Sequence, residues 1–186
     1  DEQRKTVQGA VAPINLKTLE NTIRQRTQNV LNDLPDGEDF DWVDRVSIEL
    51  TTQMLATLFD FPFEDRRKLT RWSDVATGGP ETGVVETDEQ RQEELLECLE
   101  YFSRLWQERA EKDGSNDFIS MLVHGEATKD MSSEEYLGNL ILLIVGGNDT
   151  TRNSMTSGVI ALNDNPGEYA KLRNNPTLIP NMVSEI

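Results

Sequence analysis

The sequence predicts an all-α fold, and three observations carry that expectation. Apolar residues recur three and four apart through most of the chain, the spacing of one helix face. Proline, glycine and asparagine clusters cut this pattern into pieces of helical length, at Pro13, Pro35-Asp36-Gly37, Phe61-Pro62, Gly78-Gly79-Pro80, Asn165-Pro166 and Asn174-Asn175-Pro176. One piece, opened by a capping box at Ser132 and Glu135, runs for about 30 residues, long for a globular helix.

The elements follow in order. After a charged opening, Asn15 is placed to cap a helix whose apolar face is Leu16, Leu19, Ile23, Val30 and Leu34. Phe40 and Trp42 lead into a second helix, with Val43, Val46, Leu50, Met54 and Leu58 as its buried side. A short charged helix from Glu64 to Val75 presents Leu69 and Trp72, and Thr77 to Gly83 reads as a turn-rich, mobile loop. Leu95, Leu99, Phe102 and Trp106 then mark a long helix from about Thr87 to Lys112, followed by a short one from Phe118 to Val123. The long central helix spans Ser132 to about Asn163. Asn165-Pro166 caps and starts the next helix, and a last one begins after Pro180.

Composition narrows the function classes. A formal charge of −16 argues against nucleic acid or an anionic membrane as a partner. Part of the acidity is local, in the solvated helix face from Glu86 to Glu100. The single cysteine, Cys98, excludes an internal disulfide and suits a reducing, cytoplasmic setting; lying in a helix among acids, it reads as structural. His124 sits in a turn without a second histidine nearby, a poor start for a metal site or triad. The apolar run Leu140–Val145 is too short to span a bilayer. Because the chain opens at Asp1 without a methionine and stops at Ile186 inside a helical pattern, it is expected to be an internal piece of a longer protein.

Chemistry is concentrated in the central helix, at Gly146-Gly147-Asn148-Asp149-Thr150-Thr151. Two glycines weaken a helix by roughly 1 kcal/mol each relative to alanine, and an acid beside an apolar run needs a partner. Gly146, Thr150 and Ser154 form one stripe, four residues apart, with Asn153 and Ser157 at its edge. Without a side chain at Gly146, a bulky flat group can approach the backbone. The Thr150 hydroxyl can bond back to the Gly146 carbonyl and open or bend the helix there. Asp149, about 100° round the helix from Thr150, completes an acid and an alcohol suited to proton delivery. A packing notch with a self-satisfied threonine is the alternative from spacing alone. The glycines match neither a dinucleotide nor a P-loop pattern, and a metal site on Asn148 and Asp149 lacks further ligands at 152 and 156.

This six-residue string resembles the [Ala/Gly]-Gly-x-[Asp/Glu]-Thr-[Thr/Ser] signature in the central (I) helix of cytochromes P450. The wider string from Ile144 to Asn165-Pro166 is similar to bacterial members that hydroxylate the terminal carbon of alkanes and fatty acids, and the other elements fall in the family's order. The resemblance implies one partial domain, 1–186, truncated at both ends, an incomplete fold with the β-structure and haem-ligand loop missing. It implies haem b, O2, a small hydrophobic substrate, and electrons from NAD(P)H through ferredoxin reductase and ferredoxin. Asp149 and Thr150 become the catalytic pair for proton delivery. Gly146 and Gly147 become the groove for the haem face, and Leu142 and Val145 the substrate-packing residues. Arg4, in Asp1-Glu2-Gln3-Arg4-Lys5, becomes a propionate partner, and Glu185 the acid of a Glu-x-x-Arg pair. The helix, loop and longer helix from Glu64 to Lys112 match the family's lid. The metal-ligating cysteine is expected beyond Ile186, so the 186 residues alone are expected to be inactive and to aggregate or stay molten. A sterol or terpenoid is the alternative substrate, and a non-catalytic helical scaffold the alternative from another class. An isoprenoid-type metal-dependent lyase is disfavoured by the missing second ligand set.

Overall fold

In the computed structural model, which describes residues 2–186, helices occupy the stretches between the breaker residues, and no strand occurs among the described residues. α1 (Glu2–Gln8) passes through a 3-10 turn, Gly9–Val11, into α2 (Pro13–Asn32), with Pro13 at the start, where its missing N–H leaves no partner wanting. Asn15 does not cap α2: its amide donates to the Gly9 carbonyl at 2.6 Å and closes the preceding turn instead. A π-helical turn, Val43–Ile48, runs directly into α3 (Glu49–Phe59), which stops at Asp60 in the left-handed region (φ 47°). Then come α4 (Arg67–Thr77), α5 (Asp88–Ala110), α6 (Phe118–His124), α7 (Ser133–Asp164), α8 (Pro166–Asn174) and α9 (Ile179–Glu185). No helix among the described residues is long and apolar enough to cross a membrane.

α7 is the axis, 32 residues long. Its start is fixed by the capping box: the Ser132 hydroxyl accepts from the Glu135 N–H, and the Glu135 carboxylate accepts from the Ser132 N–H. Under its first half lies an aromatic core from α3 to α6. Phe59 meets Phe102 and Phe118 edge-on at 5.5 and 5.0 Å, and Phe61 meets Trp72 edge-on at 6.2 Å. Leu140 and Ile144 of α7 close over this cluster, fully buried. Each such side chain stabilises the fold by about 1.5–3 kcal/mol on burial. The other end differs. No residue of α8 or α9 is buried, and Tyr169, Ile179 and Val183 stand exposed.

One further expectation is corrected. The second helix buries Val46 as expected, but Val43 is exposed and Leu50, Met54 and Leu58 are only half-buried. Its buried residues are Val46, Ser47, Thr51, Thr52, Leu55, Ala56 and Phe59, with the buried side centred one position round the helix. Thr51 and Thr52 tolerate this because their hydroxyls donate to the Ser47 and Ile48 carbonyls one turn back. The segments that flank the loop after α4 are held by two arginines. Arg71 donates to the Val84 carbonyl at 2.9 Å, Arg91 donates to the Val75 and Ala76 carbonyls at 2.9 and 2.8 Å, and Val85 is buried.

Candidate active site

The helical period gives α7 distinct sides, and the Gly-Gly-Asn-Asp-Thr-Thr string spreads over them. Leu142, Gly146 and Thr150, four apart, form an exposed stripe, with Leu142 72% exposed. A Cβ built on Gly146 meets nothing within 4 Å, so this glycine leaves open backbone rather than filling a notch. The Thr150 hydroxyl donates to the Gly146 carbonyl at 3.1 Å, the back-bond read from the sequence. The helix nevertheless stays α-helical through this point: the extra bond uses a carbonyl with two lone pairs and does not displace the ladder. The π-helical distortion lies in Val43–Ile48 instead.

Gly147 behaves differently from Gly146. A Cβ there would lie 2.7 Å from Leu55 Cδ2, so Gly147 admits α3 and does not share the open groove. Asn148 is fully buried against α3, its Oδ1 accepting from the Thr51 hydroxyl at 3.2 Å. Asp149 faces α4. Its Oδ1 accepts from the Ser73 hydroxyl at 3.2 Å, from Arg152 Nη2 at 3.1 Å and from Asn148 Nδ2 at 3.3 Å. Arg152 reaches on to Asp74 Oδ1 at 3.2 and 3.3 Å. Asp149 and Thr150 are thus adjacent in sequence, yet one is clasped by α4 and the other stands in the open. All three donors meet Oδ1, and no hydrogen bond to Oδ2 occurs among the described residues. Val145, one turn before Asp149, is partly buried on the α4 side.

Sequence reasoning missed the partners that hold this string. Ser47 pairs with Thr156 at 2.9 Å and Thr51 with Asn148, a polar seam between the π-helical turn, α3 and α7. The signal was Ser47 and Thr51, four apart beside an apolar face. A groove of about 570 Å3 runs past Thr150 toward α9, walled by Trp42, Leu50, Met155, Val159 and Val183 among others. Leu142 and Val145 lie outside it.

The remaining expected residues are scattered. Arg4 is exposed on α1, which is tied to α7 through Gln3, whose side-chain oxygen accepts from Asn139 at 3.2 Å. Asp1, the first residue of that string, lies outside the described residues. Glu185 is exposed at the end of α9. Cys98 is fully buried in the core, and burial, with Glu97 nearby, pushes its thiol up to about 12, so it does not fit as a thiolate ligand. His124 is exposed, with Nε2 3.2 Å from the Arg109 carbonyl oxygen.

No protein-family model matches the chain. Among solved structures it is similar to cytochrome P450-153 from Novosphingobium aromaticivorans, with 49% identity and a TM-score of 0.86 over 97% of this chain and 43% of that one. Among curated relatives, the steroid C26-monooxygenase of Mycolicibacterium smegmatis is 31% identical over 167 residues, 89% of this chain and 38% of its own length. The linalool 8-monooxygenase of Pseudomonas putida is 27% identical over 186 residues, 100% of this chain and 46% of its own length. The chain thus spans less than half the length of these curated relatives.

Proposed function

The chain belongs to the cytochrome P450 family, and from that premise we propose that the protein carrying it is a haem-thiolate monooxygenase whose proton-delivery residues are Asp149 and Thr150. The observation that carries the reading is the open stripe of α7. Gly146 leaves room for a flat group at the backbone, and Thr150 stands one turn further along the same side. These residues fit one face of a haem. When bound with a thiolate ligand, haem supplies the activation of O2 for insertion into a C–H bond. The ligating cysteine is carried by part of the parent protein outside these 186 residues, since Cys98 does not fit that role.

The chain's own residues do the rest. Thr150 Oγ1 holds its proton toward the Gly146 carbonyl and can redirect it into the open stripe. Asp149 resupplies that proton by turning its carboxyl from the α4 side toward Thr150. Gly147 keeps α7 close to α3 so that the stripe is held in place. Arg4 is the cation for a haem carboxylate, and Glu185 anchors the C-terminal side through an arginine outside this chain. Leu142 and Val145 pack the substrate, and electrons come from NAD(P)H through a ferredoxin reductase and a ferredoxin in the cytoplasm. The substrate class is a linear alkane or fatty acid hydroxylated at its end, supported by the likeness around the central helix. Each buried CH2 contributes about 0.8 kcal/mol against an apolar wall. A steroid side chain or a terpenoid is the second reading, supported by the two curated relatives whose names carry those substrates.

The test is Thr150→Ala in the full-length, haem-loaded protein, with product and O2 consumption measured together. O2 consumption continues while product per O2 falls several-fold and the circular dichroism is unchanged. Wild-type product per O2 with only a shifted melting temperature would instead make the string a structural notch.

A further inference from the structure

We infer that Arg152 is a positioning residue for Asp149, holding that acid against α4 through a guanidinium shared with Asp74. The inference rests on the proposed function, because it concerns the acid assigned there to proton delivery. The Arg152 side chain is only 16% exposed and lies in the seam between α7 and α4. Its Nη2 is 3.1 Å from Asp149 Oδ1, and Nη1 and Nη2 are 3.2 and 3.3 Å from Asp74 Oδ1. Ser73, beside Asp74, donates to the same Asp149 oxygen. Two successive residues of α4 therefore grasp an i,i+3 pair on α7, and two carboxylates share one cation.

Helix stability alone gives no reason for this arrangement. An exposed i,i+3 ion pair adds only about 0.2–0.5 kcal/mol, while withdrawing a guanidinium from water costs more than that unless its donors are used. Here the planar fork is used across two helices, a geometry that a lysine does not reproduce. The consequence is directional. Asp149 can turn toward the Thr150 side only by releasing Arg152, so the guanidinium sets how the carboxylate divides its time between the two sides. Asp74, a helix away, makes its hydrogen-bonded link to Asp149 through Arg152.

The experiment uses the full-length protein with Arg152→Gln, Arg152→Lys and Asp74→Asn, and Asp149→Asn as the reference. With haem bound, Arg152→Gln lowers product per O2 several-fold and alters the solvent deuterium isotope effect on turnover, Arg152→Lys restores part of both, and Asp74→Asn shifts them in the same direction. In the haem-free protein, amides of Arg67–Thr77 exchange faster in Arg152→Gln, while those of Phe118–His124 do not change. Faster α4 exchange with wild-type product per O2 and isotope effect would reduce Arg152 to a structural tie and overturn the proposal, as would unchanged α4 exchange. Should Arg152→Gln fail to take up haem, Asp74→Asn and Arg152→Lys decide the matter on the same readouts. If Asp149→Asn itself leaves product per O2 at the wild-type value, the proposed function fails first, an outcome distinct from failure at Arg152 alone.

Discussion

Two neighbouring glycines on α7 face different surroundings. On the inner side Leu140, Ile144 and Asn148 are fully buried, and Gly147 gives Leu55 the space that a methyl group would take. On the outer side Leu142 and Thr150 stand exposed, and a methyl at Gly146 would touch nothing within 4 Å. Glycine in a helix interior costs roughly 1 kcal/mol relative to alanine in either place. Packing accounts for it at Gly147. At Gly146 no contact among the described residues does, and the haem face proposed above is what would account for it there.

The sharpest way to break this contrast is to truncate one apolar residue on each side. In the haem-free full-length protein, Ile144→Ala loses about 2–5 kcal/mol of unfolding free energy, whereas Leu142→Ala stays within about 0.5 kcal/mol. Chemical unfolding of both variants measures the difference, and equal losses would erase the distinction. A smaller effect, but of opposite sign on the two sides, is expected at the glycines. Gly147→Ala forces Leu55 aside and loses about 1 kcal/mol net of its helix gain, while Gly146→Ala gains up to about 1 kcal/mol. Thermal midpoints moving in the same direction would show that both positions are notches.

The smallest expected effect is electrostatic and concerns how α3 is held to α4. Burial opposes ionisation of Glu49, but hydrogen bonds from Gln53 and Arg66 and the charges of Arg66 and Arg67 outweigh it and hold the carboxyl below its usual 4.5. A depressed carboxyl contributes stability that is present above the unfolded value and lost as pH falls through the folded one. Glu49→Gln is therefore less stable than the wild type at pH 7, and the gap closes below about pH 4.5. A gap that persists in acid would assign Glu49 a packing role instead of a charge role.

The start of α7 was legible in the sequence because its signals are local: Ser132 and Glu135 are three residues apart, and the breakers at Asn165-Pro166 stand beside its end. The Thr150 back-bond was legible for the same reason. The buried side of α3 was not. Side-chain polarity places Thr51 and Thr52 outside, yet each hydroxyl finds an acceptor one turn back and can enter the core. The hold on Asp149 was only partly legible. The Arg152 pairing is an i,i+3 spacing that can be read, but Ser73 and Asp74 are more than 70 positions away, and only the packing of α4 on α7 brings them near. The ties that flank the loop after α4 were hidden likewise, because turn residues specify bends and say nothing of Arg91 reaching the last carbonyls of α4 or Arg71 reaching the Val84 carbonyl.

The π-helical turn at Val43–Ile48 bears on how this chain can vary in length. Losing one residue from an ordinary α-helix rotates everything beyond it by about 100°, which would pull Thr51 from Asn148 and Leu55 from Gly147. A π turn holds one residue more than an α turn over the same rise. Deleting a single residue within 43–48 lets the segment relax to α geometry while both of those pairings persist. Among the helices that frame α7, this turn is where the chain would absorb a one-residue change without altering how α3 meets it.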